Sequence, residues 1–506
     1  MQHLVRLFQT GVYLGSEYVS HGQSVLFAVT KARQFIDAPC GGNGRCGKCK
    51  VRLSPTGEEV LACRTYVNGD MDVYLPGEFD MEIAGAEDDS IGDVKNAKGP
   101  YGVAVDIGTT TVVAHLMDIG TGNRLATESG VNAQRPFGAD VISRIQHSME
   151  NGHDELTRFI RIQIAGFIKE LSKKTGIRMR DIEYMAIAGN TVMEHLFADL
   201  SPDGLGAAPF KPVSLFGEEL PAGKDLGIAP DAKVYLAPAV ASYVGGDITA
   251  GILAAGLEDT KSSFYLDIGT NGEMAMKIGD KYYCCATAAG PAFEGAEIFM
   301  GMAAVPGAIN HVEWKDNAVA IETIGDVPPV GICGSGLLDA LALLLNTGAV
   351  DETGRLLSRD EAEGSIKKYL ETKDGKNIFW LTTDKAVCMT AEDIRKLQLA
   401  KAAIAAGIQT LIHHSGATEI ESFRLAGGFG SYMNHVSAVR IGVFPKSFLP
   451  VTRVMGNMAG EGAVLATCSA DAREALADIC RRCEYIELSG STYFMEEFVE
   501  QMMFEE

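Results

Sequence analysis

The chain has 506 residues, enough for two to four domains that each bury a core of their own. With 46% hydrophobic and 22% charged residues it has the composition of a soluble globular protein, and its 57 glycines form no repetitive tract. A net charge of −22 repels phosphate backbones and anionic lipid, which argues against nucleic acid or a membrane surface as partner, although local loops can still hold a nucleotide.

The N-terminus, Met1-Gln-His-Leu-Val-Arg-Leu-Phe, lacks the apolar stretch of a signal peptide. The most apolar windows, residues 337–345 and 399–412, are interrupted by Asp339 or Lys401. Neither reaches the roughly 18–20 apolar residues of a membrane span, so both are expected as buried helices and the protein as cytoplasmic. Four of the eleven cysteines lie between residues 40 and 63. Without a secretory signal, such clustering points to a metal site rather than to a disulfide framework.

Residues 1–84 are expected as a first domain, with short strands at 4–8 and 51–53 and a short helix at 25–32. Its cysteines read Pro39-Cys40-Gly-Gly-Asn-Gly-Arg-Cys46-Gly-Lys-Cys49, then Leu61-Ala-Cys63-Arg. Iron–sulfur clusters need thiolates on a loop whose backbone wraps the inorganic sulfides, and glycine supplies the turns. Plant-type ferredoxins space three ligands C-x4-C-x2-C and add a distant fourth. Here the first gap is five residues, which lengthens the loop and keeps the ligand count. Cys40, Cys46, Cys49 and Cys63 are therefore read as the ligands of one [2Fe–2S] cluster. Structural zinc is the rival, but zinc sites favour two C-x2-C knuckles and this segment has one. Unrelated buried thiols would not explain four cysteines within 24 positions.

Residues 85–100 are small, acidic and almost without apolar anchors, the composition of a linker. From Tyr101 the texture becomes α/β, with strands expected at 102–106 and 184–188 and helices at 156–175 and 391–414. A degenerate repeat stands out. Tyr101-Gly-Val-Ala-Val-Asp-Ile-Gly-Thr-Thr-Thr and Ser263-Phe-Tyr-Leu-Asp-Ile-Gly-Thr-Asn-Gly share strand, Asp, Gly and Thr in register. Their separation of roughly 160 residues, about one domain, suggests two copies of one α/β unit facing each other, at 101–260 and 261–466. A helical, acidic tail at 467–506 shows no recognisable chemistry.

A strand that ends in Asp and turns through Gly and Thr can cradle phosphate. Backbone N–H groups and hydroxyls face the phosphate oxygens, and the Asp can hold Mg²⁺ through water. The candidates are Asp106 with Gly108, Thr109, Thr110 and Thr111, and Asp267 with Gly269, Thr270, Asn271, Gly272 and Glu273. One such loop is a common hairpin; two in register would clamp a polyphosphate from both sides. Phe423-Arg-Leu-Ala-Gly-Gly-Phe-Gly-Ser is expected to run from a strand through a Gly-rich turn into a helix. Its Gly427, Gly428, Phe429 and Gly430 could bring backbone against a flat ligand. Gly334 and Ser335, in Gly331-Ile-Cys-Gly-Ser-Gly-Leu-Leu-Asp, read equally as a ligand loop or a helix start. Cys284, Cys285, Cys333, Cys388 and Cys468 are expected as core thiols, and Cys480-Arg-Arg-Cys483 as free of metal.

This arrangement resembles the ATPase fold shared by actin, hexokinase and 70-kDa chaperones over about residues 100–466. The resemblance makes 106–111 and 267–273 the two phosphate loops and 425–431 the adenosine loop. Ala188-Gly-Asn-Thr191 and Gly456-Asn-Met-Ala-Gly-Glu-Gly-Ala463 are similar to the two connecting segments. Asp247 stands where such ATPases often carry an acidic residue. The fold so implied is α/β: an N-terminal β-grasp ferredoxin-like domain followed by a duplicated ribonuclease-H-like, actin-like ATPase.

Ferredoxin domain, linker and duplicated ATPase together closely resemble the reductive activators of corrinoid-dependent proteins. Asn132-Ala-Gln-Arg-Pro-Phe-Gly-Ala-Asp-Val-Ile-Ser-Arg-Ile145 is also similar to that family. The resemblance implies ATP-driven transfer of one electron through the [2Fe–2S] cluster, returning Co(II) to Co(I) on the corrinoid protein of a methyltransferase system. ATP and Mg²⁺ join the cluster as implied cofactors, a ferredoxin or flavodoxin is the implied low-potential donor, and a homodimer is compatible. Plant-type clusters sit near −400 mV, and each further ~59 mV costs one electron a factor of ten, so a lower-potential acceptor requires an energy input. Two other classes stay open. One is an electron donor to a dehydratase or similar radical enzyme, although such activators hold [4Fe–4S] clusters between subunits. The other is a nucleotide-gated binding module whose cluster senses redox state.

Overall fold

The computed structural model describes residues 2–9, 12–32, 34, 36, 38, 44, 49–76, 92, 94–138 and 140–505. The first region is a five-stranded sheet in the order Val12–Ser20, Gln2–Gln9, Met71–Leu75, Lys50–Ser54, Glu58–Leu61. Gln2–Gln9 and Met71–Leu75 run parallel at its centre, and the remaining pairs are antiparallel. Alternation sends Val5, Leu7, Val51 and Val73 to one face. Helix Val25–Lys31 covers that face with Val25, Leu26, Ala28 and Val29, its first turn closed by Ser24 accepting from Phe27 N.

The far end of the expected linker is tied down. Gly92 N–H donates to Leu125 O at 2.9 Å and Lys98 N–H to Asp118 Oδ2 at 3.0 Å. Val94 and Ala97, almost the only apolar residues there, pack on the core of the next unit. Residues 85–91 and 93 lie outside the described residues.

Two six-stranded sheets follow. The first runs Glu219–Pro221, Lys233–Leu236, Ile182–Gly189, Tyr101–Ile107, Thr111–Asp118, Asn123–Val131. The second runs Thr452–Gly456, Ser422–Ala426, Ser262–Ile268, Gly272–Ile278, Lys281–Thr287, Cys483–Tyr485. In each, the strand that ends in Asp-Ile pairs antiparallel with the next strand in sequence and parallel with a later one. Val103, Ala104 and Val105 are wholly buried because helices cover both faces of the sheet. One is Asp154–Thr175, which turns Leu156, Ile160, Ile164, Ile168 and Leu171 inward at helical spacing and stops at the left-handed Gly176. In the second unit, helix Ala391–Ser415 opens with a capping box between Thr390 and Asp393.

One expectation is corrected. The Gly-rich turn after Ala426 does not run straight into a helix; the next helix is His435–Ile441. Of the two readings of Gly334, the structure has the helix start: it is the first residue of helix Gly334–Asn346. The tail packs on the body of the molecule. Helix Met458–Cys468 crosses residue 466 and lays Ala459, Ala463 and Ala466 against Ala104 of the first sheet, and Cys483–Tyr485 adds a parallel edge strand to the second. Phe504 is buried, with Lys401 Nζ 4.8 Å from its ring centre. Helices Gly246–Ala254 and Met458–Cys468 meet through Gly462, where a Cβ would stand 2.3 Å from Ala250 O.

Cys284, Cys285, Cys333 and Cys388 are buried and Cys468 half-buried, all as free thiols. Cys480 Sγ contacts Ala239 O at 3.3 Å. Among the described residues, no helix is long and apolar enough to cross a membrane.

Candidate functional site

The two repeat strands end facing each other. Asp106 and Asp267 are close enough to repel. Asp247, in the first turn of helix Gly246–Ala254, feels both of them. Glu273 sits directly opposite Asp267 in the hairpin register and feels Asp247 and Asp267. Loss of water pushes Asp106 up to about 7, Asp267 up to about 6 and Asp247 up to about 8. The neighbouring charges add to the rise of Asp106 and Asp247. Glu273 rises well above the usual carboxylate range for the same two reasons. Glu194, fully buried beside Asp247, also rises, chiefly because burial removes it from water. Crowded carboxylates withdrawn from water fit a hard divalent cation, which takes oxygen ligands. Gly427 leaves room for the group: at its φ of +90° a Cβ would lie 2.4 Å from Asp267 Oδ1.

The first loop is braced by side chains from distant parts of the chain. Asn132 donates from Nδ2 to Gly108 O and from its backbone N to Thr110 O, both at 2.8 Å. Arg144, fully buried, donates from Nη2 to Thr109 O at 2.5 Å and from Nε to Gly138 O at 3.0 Å. Burial holds its guanidinium down to about 9. Asn132 and Arg144 thus form the back of the first loop. Asn190 Nδ2 donates to Thr109 Oγ1 at 3.0 Å, and Asn457 Nδ2 to Asp106 Oδ2 at 2.8 Å. Each asparagine also caps the helix that follows it. Sequence reasoning assigned neither residue, although the shared signal, Gly-Asn ahead of a helix, was present in both connecting segments.

The second loop is held mostly from within. Gly269 N–H donates to Asn271 O at 3.0 Å, Asn271 Nδ2 to Glu273 Oε1 at 3.3 Å, and Thr287 Oγ1 to Gly272 O at 3.1 Å. Tyr265 donates its hydroxyl to Asp267 Oδ2 at 3.1 Å. Thr270 turns instead to Glu294, a residue that the sequence did not single out.

Beside these loops, the Phe429 ring stacks on Phe293 with centroids 5.2 Å apart and planes 3° from parallel. Gly334 packs under the pair; a Cβ there would meet Phe293 O at 1.9 Å and the Phe429 ring at 2.6 Å. Ser335 Oγ donates to Asn310 O at 2.9 Å. Gly428 faces open space, whereas a Cβ on Gly430 would lie 2.2 Å from Ala426 O. The structure therefore joins Gly334 to Phe429 by packing and leaves Gly428 free to meet a ligand.

On the N-terminal sheet, Cys49 Sγ lies 3.3 Å from Cys63 Sγ, both buried. That is far beyond a disulfide of about 2.05 Å, and two sulfurs held so close fit a shared metal. Gly44, with φ +68°, lies against Arg64, whose Nε would be 1.8 Å from a Cβ. Cys40 and Cys46 lie outside the described residues.

Residues 101–260 match the family model of the RACo middle region, and residues 261–506 that of the C-terminal domain of RACo, the ASKHA domain. The corrinoid activation enzyme RamQ of Eubacterium limosum is 32% identical, over 93% of this chain and 94% of its own. The chain belongs to the reductive activators of corrinoid-dependent proteins. Another relative of this activator is the Co(II) methylated amine-specific corrinoid protein reductase of Methanosarcina barkeri, 28% identical over 68% of this chain and 66% of its own. The solved structure of a reductive activator for corrinoid, iron–sulfur protein superposes with a TM-score of 0.71 at 30% identity. It covers 99% of this chain and 98% of its own. The C-terminal part of the activator is thus of the actin-like and hexokinase-like ATPase type, as its repeated strands indicate.

Proposed function

We propose that this chain reactivates a corrinoid protein, passing one electron through a [2Fe–2S] cluster to return Co(II) to Co(I) at the expense of ATP. The observation that carries the reading is the convergence of both Asp-Ile-Gly-Thr loops on Asp106, Asp247 and Asp267. Family membership supports a corrinoid protein as partner, and we assign that protein to a methyltransferase system.

Gly108–Thr111 and Gly269–Gly272 would present N–H groups and hydroxyls to the phosphates, and the turn 427–430 would meet the base through Gly428, with Gly334 and Ser335 behind it. Asp106 and Asp267 would hold Mg²⁺, which offsets phosphate charge when bound. Asp247, poised near 8, can take the proton of the attacking water as the terminal P–O bond breaks. Cys40, Cys46, Cys49 and Cys63 would hold the cluster, which supplies one-electron storage. The five-stranded sheet, with its central parallel pair and one helix among the described residues, supports a β-grasp ferredoxin reading of this domain. A ferredoxin or flavodoxin would recharge the cluster.

The test mixes the reduced, anaerobically purified chain with Mg-ATP and a Co(II) corrinoid protein and follows the Co(I) absorption band. The band should grow only with ATP. Its absence with ATP, or equal growth without it, would overturn the reading.

A further inference from the structure

We propose that residues 502–505 fill a peptide-binding slot on their own chain, and that occupancy of this slot sets the geometry of the nucleotide site. The coupling rests on the reading that the two loops bind ATP; the slot does not. The tail carries no recognisable motif, yet its backbone is captured residue by residue. Gln398 Nε2 donates to Met502 O at 2.5 Å, Lys401 Nζ to Met503 O at 2.7 Å and Arg440 Nη1 to Glu505 O at 2.7 Å. Phe504 N–H donates to Glu352 O at 2.8 Å, and its side chain is buried. Met503 and Glu505 are exposed, and helix Thr492–Glu500 just before them contains no buried residue. Recognition therefore runs through backbone carbonyls and one aromatic anchor, which is how a bound peptide is held.

Lys401 is buried, and an ammonium withdrawn from water is costly without an acceptor. The segment supplies one in Met503 O, with the Phe504 ring beside it. Lys401 belongs to helix Ala391–Ser415 and Arg440 to helix His435–Ile441, so the segment joins the two. Gly442, at φ +80°, closes the second helix where a Cβ would stand 3.3 Å from Lys401 Nζ. Three residues beyond Lys401, Ile404 lies against the second phosphate loop: a Cβ on Gly272 would be 3.0 Å from its Cγ1. Gly407 fits under Thr287, whose hydroxyl donates to Gly272 O. On the other side, helix His435–Ile441 follows the turn 427–430. Its Ser437 Oγ donates to Asp339 Oδ1 at 2.6 Å, on the helix that starts with Gly334 under the Phe429 ring. A segment that joins these helices therefore fixes the phosphate side of the site relative to the base side. Without it, Lys401 and Arg440 lose these acceptors and the helices are free to part.

The experiment uses the full-length chain, a variant that stops after Gln501, and F504A. Calorimetry measures Mg-ATP affinity, and fluorescence anisotropy follows a labelled peptide of residues 501–506. The peptide is supplied up to millimolar concentration, the order that a short tether gives it on the chain. The shortened chain should bind Mg-ATP about tenfold more weakly, the scale of a moderate coupling between sites, and the peptide should restore the affinity. Coupling is reciprocal, so saturating Mg-ATP should tighten peptide binding by the same factor. A merely structural role of the tail predicts neither rescue nor reciprocity. F504A keeps the backbone acceptors and loses the anchor. It should bind Mg-ATP about threefold more weakly, be rescued by the same peptide, and cover the case in which the shortened chain fails to fold. A peptide with Ala in place of Phe504 should rescue neither. Unchanged Mg-ATP affinity in both variants would overturn the proposal, as would a loss that saturating peptide does not restore. If the native chain bound no nucleotide while the shortened chain still captured the peptide, the ATP reading and the coupling would fall and the slot would stand.

Discussion

The two sheets share the order of five strands and the same Asp-Ile-Gly-Thr ending, with the sixth strand joining opposite edges, yet their loops are supported in opposite ways. The first is braced by Asn132, Arg144, Asn190 and Asn457, all remote in sequence. The second is held mostly by nearby residues, Asn271, Thr287 and Tyr265, with Glu294 accepting from Thr270 and Phe429 N–H donating to Ile268 O at 3.3 Å. Repetition of a motif therefore preserves the strand scaffold without preserving the mechanics. Carbonyls that accept from a fully buried guanidinium are costly to move, so the first loop is the fixed jaw. The second depends on few long-range contacts and is the one that can adjust.

The largest expected effect tests whether both loops share the chemistry despite this difference. Asp106→Ala and Asp267→Ala should each lower ATP hydrolysis by about 100-fold or more, the scale of losing a preorganised charge-stabilising group. The visible spectrum of the proposed iron–sulfur cluster should persist in both, since Cys49 and Cys63 pack in the separate N-terminal core. Loss in one variant alone would mean that only one loop handles phosphate.

Support should fail asymmetrically. Arg144→Met strands the carbonyls of Thr109 and Gly138, and should cost about 2 kcal/mol in chemical denaturation together with weaker Mg-ATP binding. Asn271→Ala removes a 3.3 Å contact on the second loop and should stay within about 0.5 kcal/mol of native. Equal costs would erase the distinction between a fixed and an adjustable jaw.

The contrast also explains what could be read in advance. The Asp-Ile-Gly-Thr repeat and the apolar strands before it are local patterns, and the strand expected at 102–106 is Tyr101–Ile107. The cysteine spacing is likewise local. Contacts such as Asn457 to Asp106, 351 residues apart, have no local signature. Glu294 reads as an ordinary turn residue until the fold brings Thr270 to it. Helix Met458–Cys468 runs past the boundary expected at residue 466, and its small residues let it cross to the first sheet.

A middle-sized effect comes from titration, and it treats the two jaws together. Asp106, Asp267 and Asp247 are pushed to about 7, 6 and 8, whereas an unfolded chain releases these protons near the ordinary carboxylate value of about 3.9. The folded, metal-free protein therefore holds more protons than the unfolded one across that interval. Its stability should fall as pH rises from about 4 to 8, and added Mg²⁺ should restore it. Because cation binding needs ionised carboxylates, Mg-ATP affinity should rise about tenfold between pH 6 and 8. Calorimetric affinities and urea melts along the same pH series check both signs, and flat profiles would show that the carboxylates are already ionised at pH 6.

The smallest effect separates the two aspartates. Tyr265 donates to Asp267 Oδ2 at 3.1 Å and so holds its carboxyl down against the upward push of burial. In Tyr265→Phe that restraint is gone, and Asp267 should protonate at higher pH. The acid limb of the ATPase profile should move up, with a rate a few-fold below native at pH 6 and close to native at pH 8. Asn457→Ala removes the corresponding bond to Asp106, but Asn457 also caps helix Met458–Cys468 and spans the two halves. Its loss should therefore add a destabilisation of about 1 kcal/mol that Tyr265→Phe does not show. Paired pH–rate profiles and denaturation curves decide the matter. If the two variants shifted the acid limb alike and lost the same stability, the second loop would not be held from its own strand, and the two jaws would be mechanically equivalent.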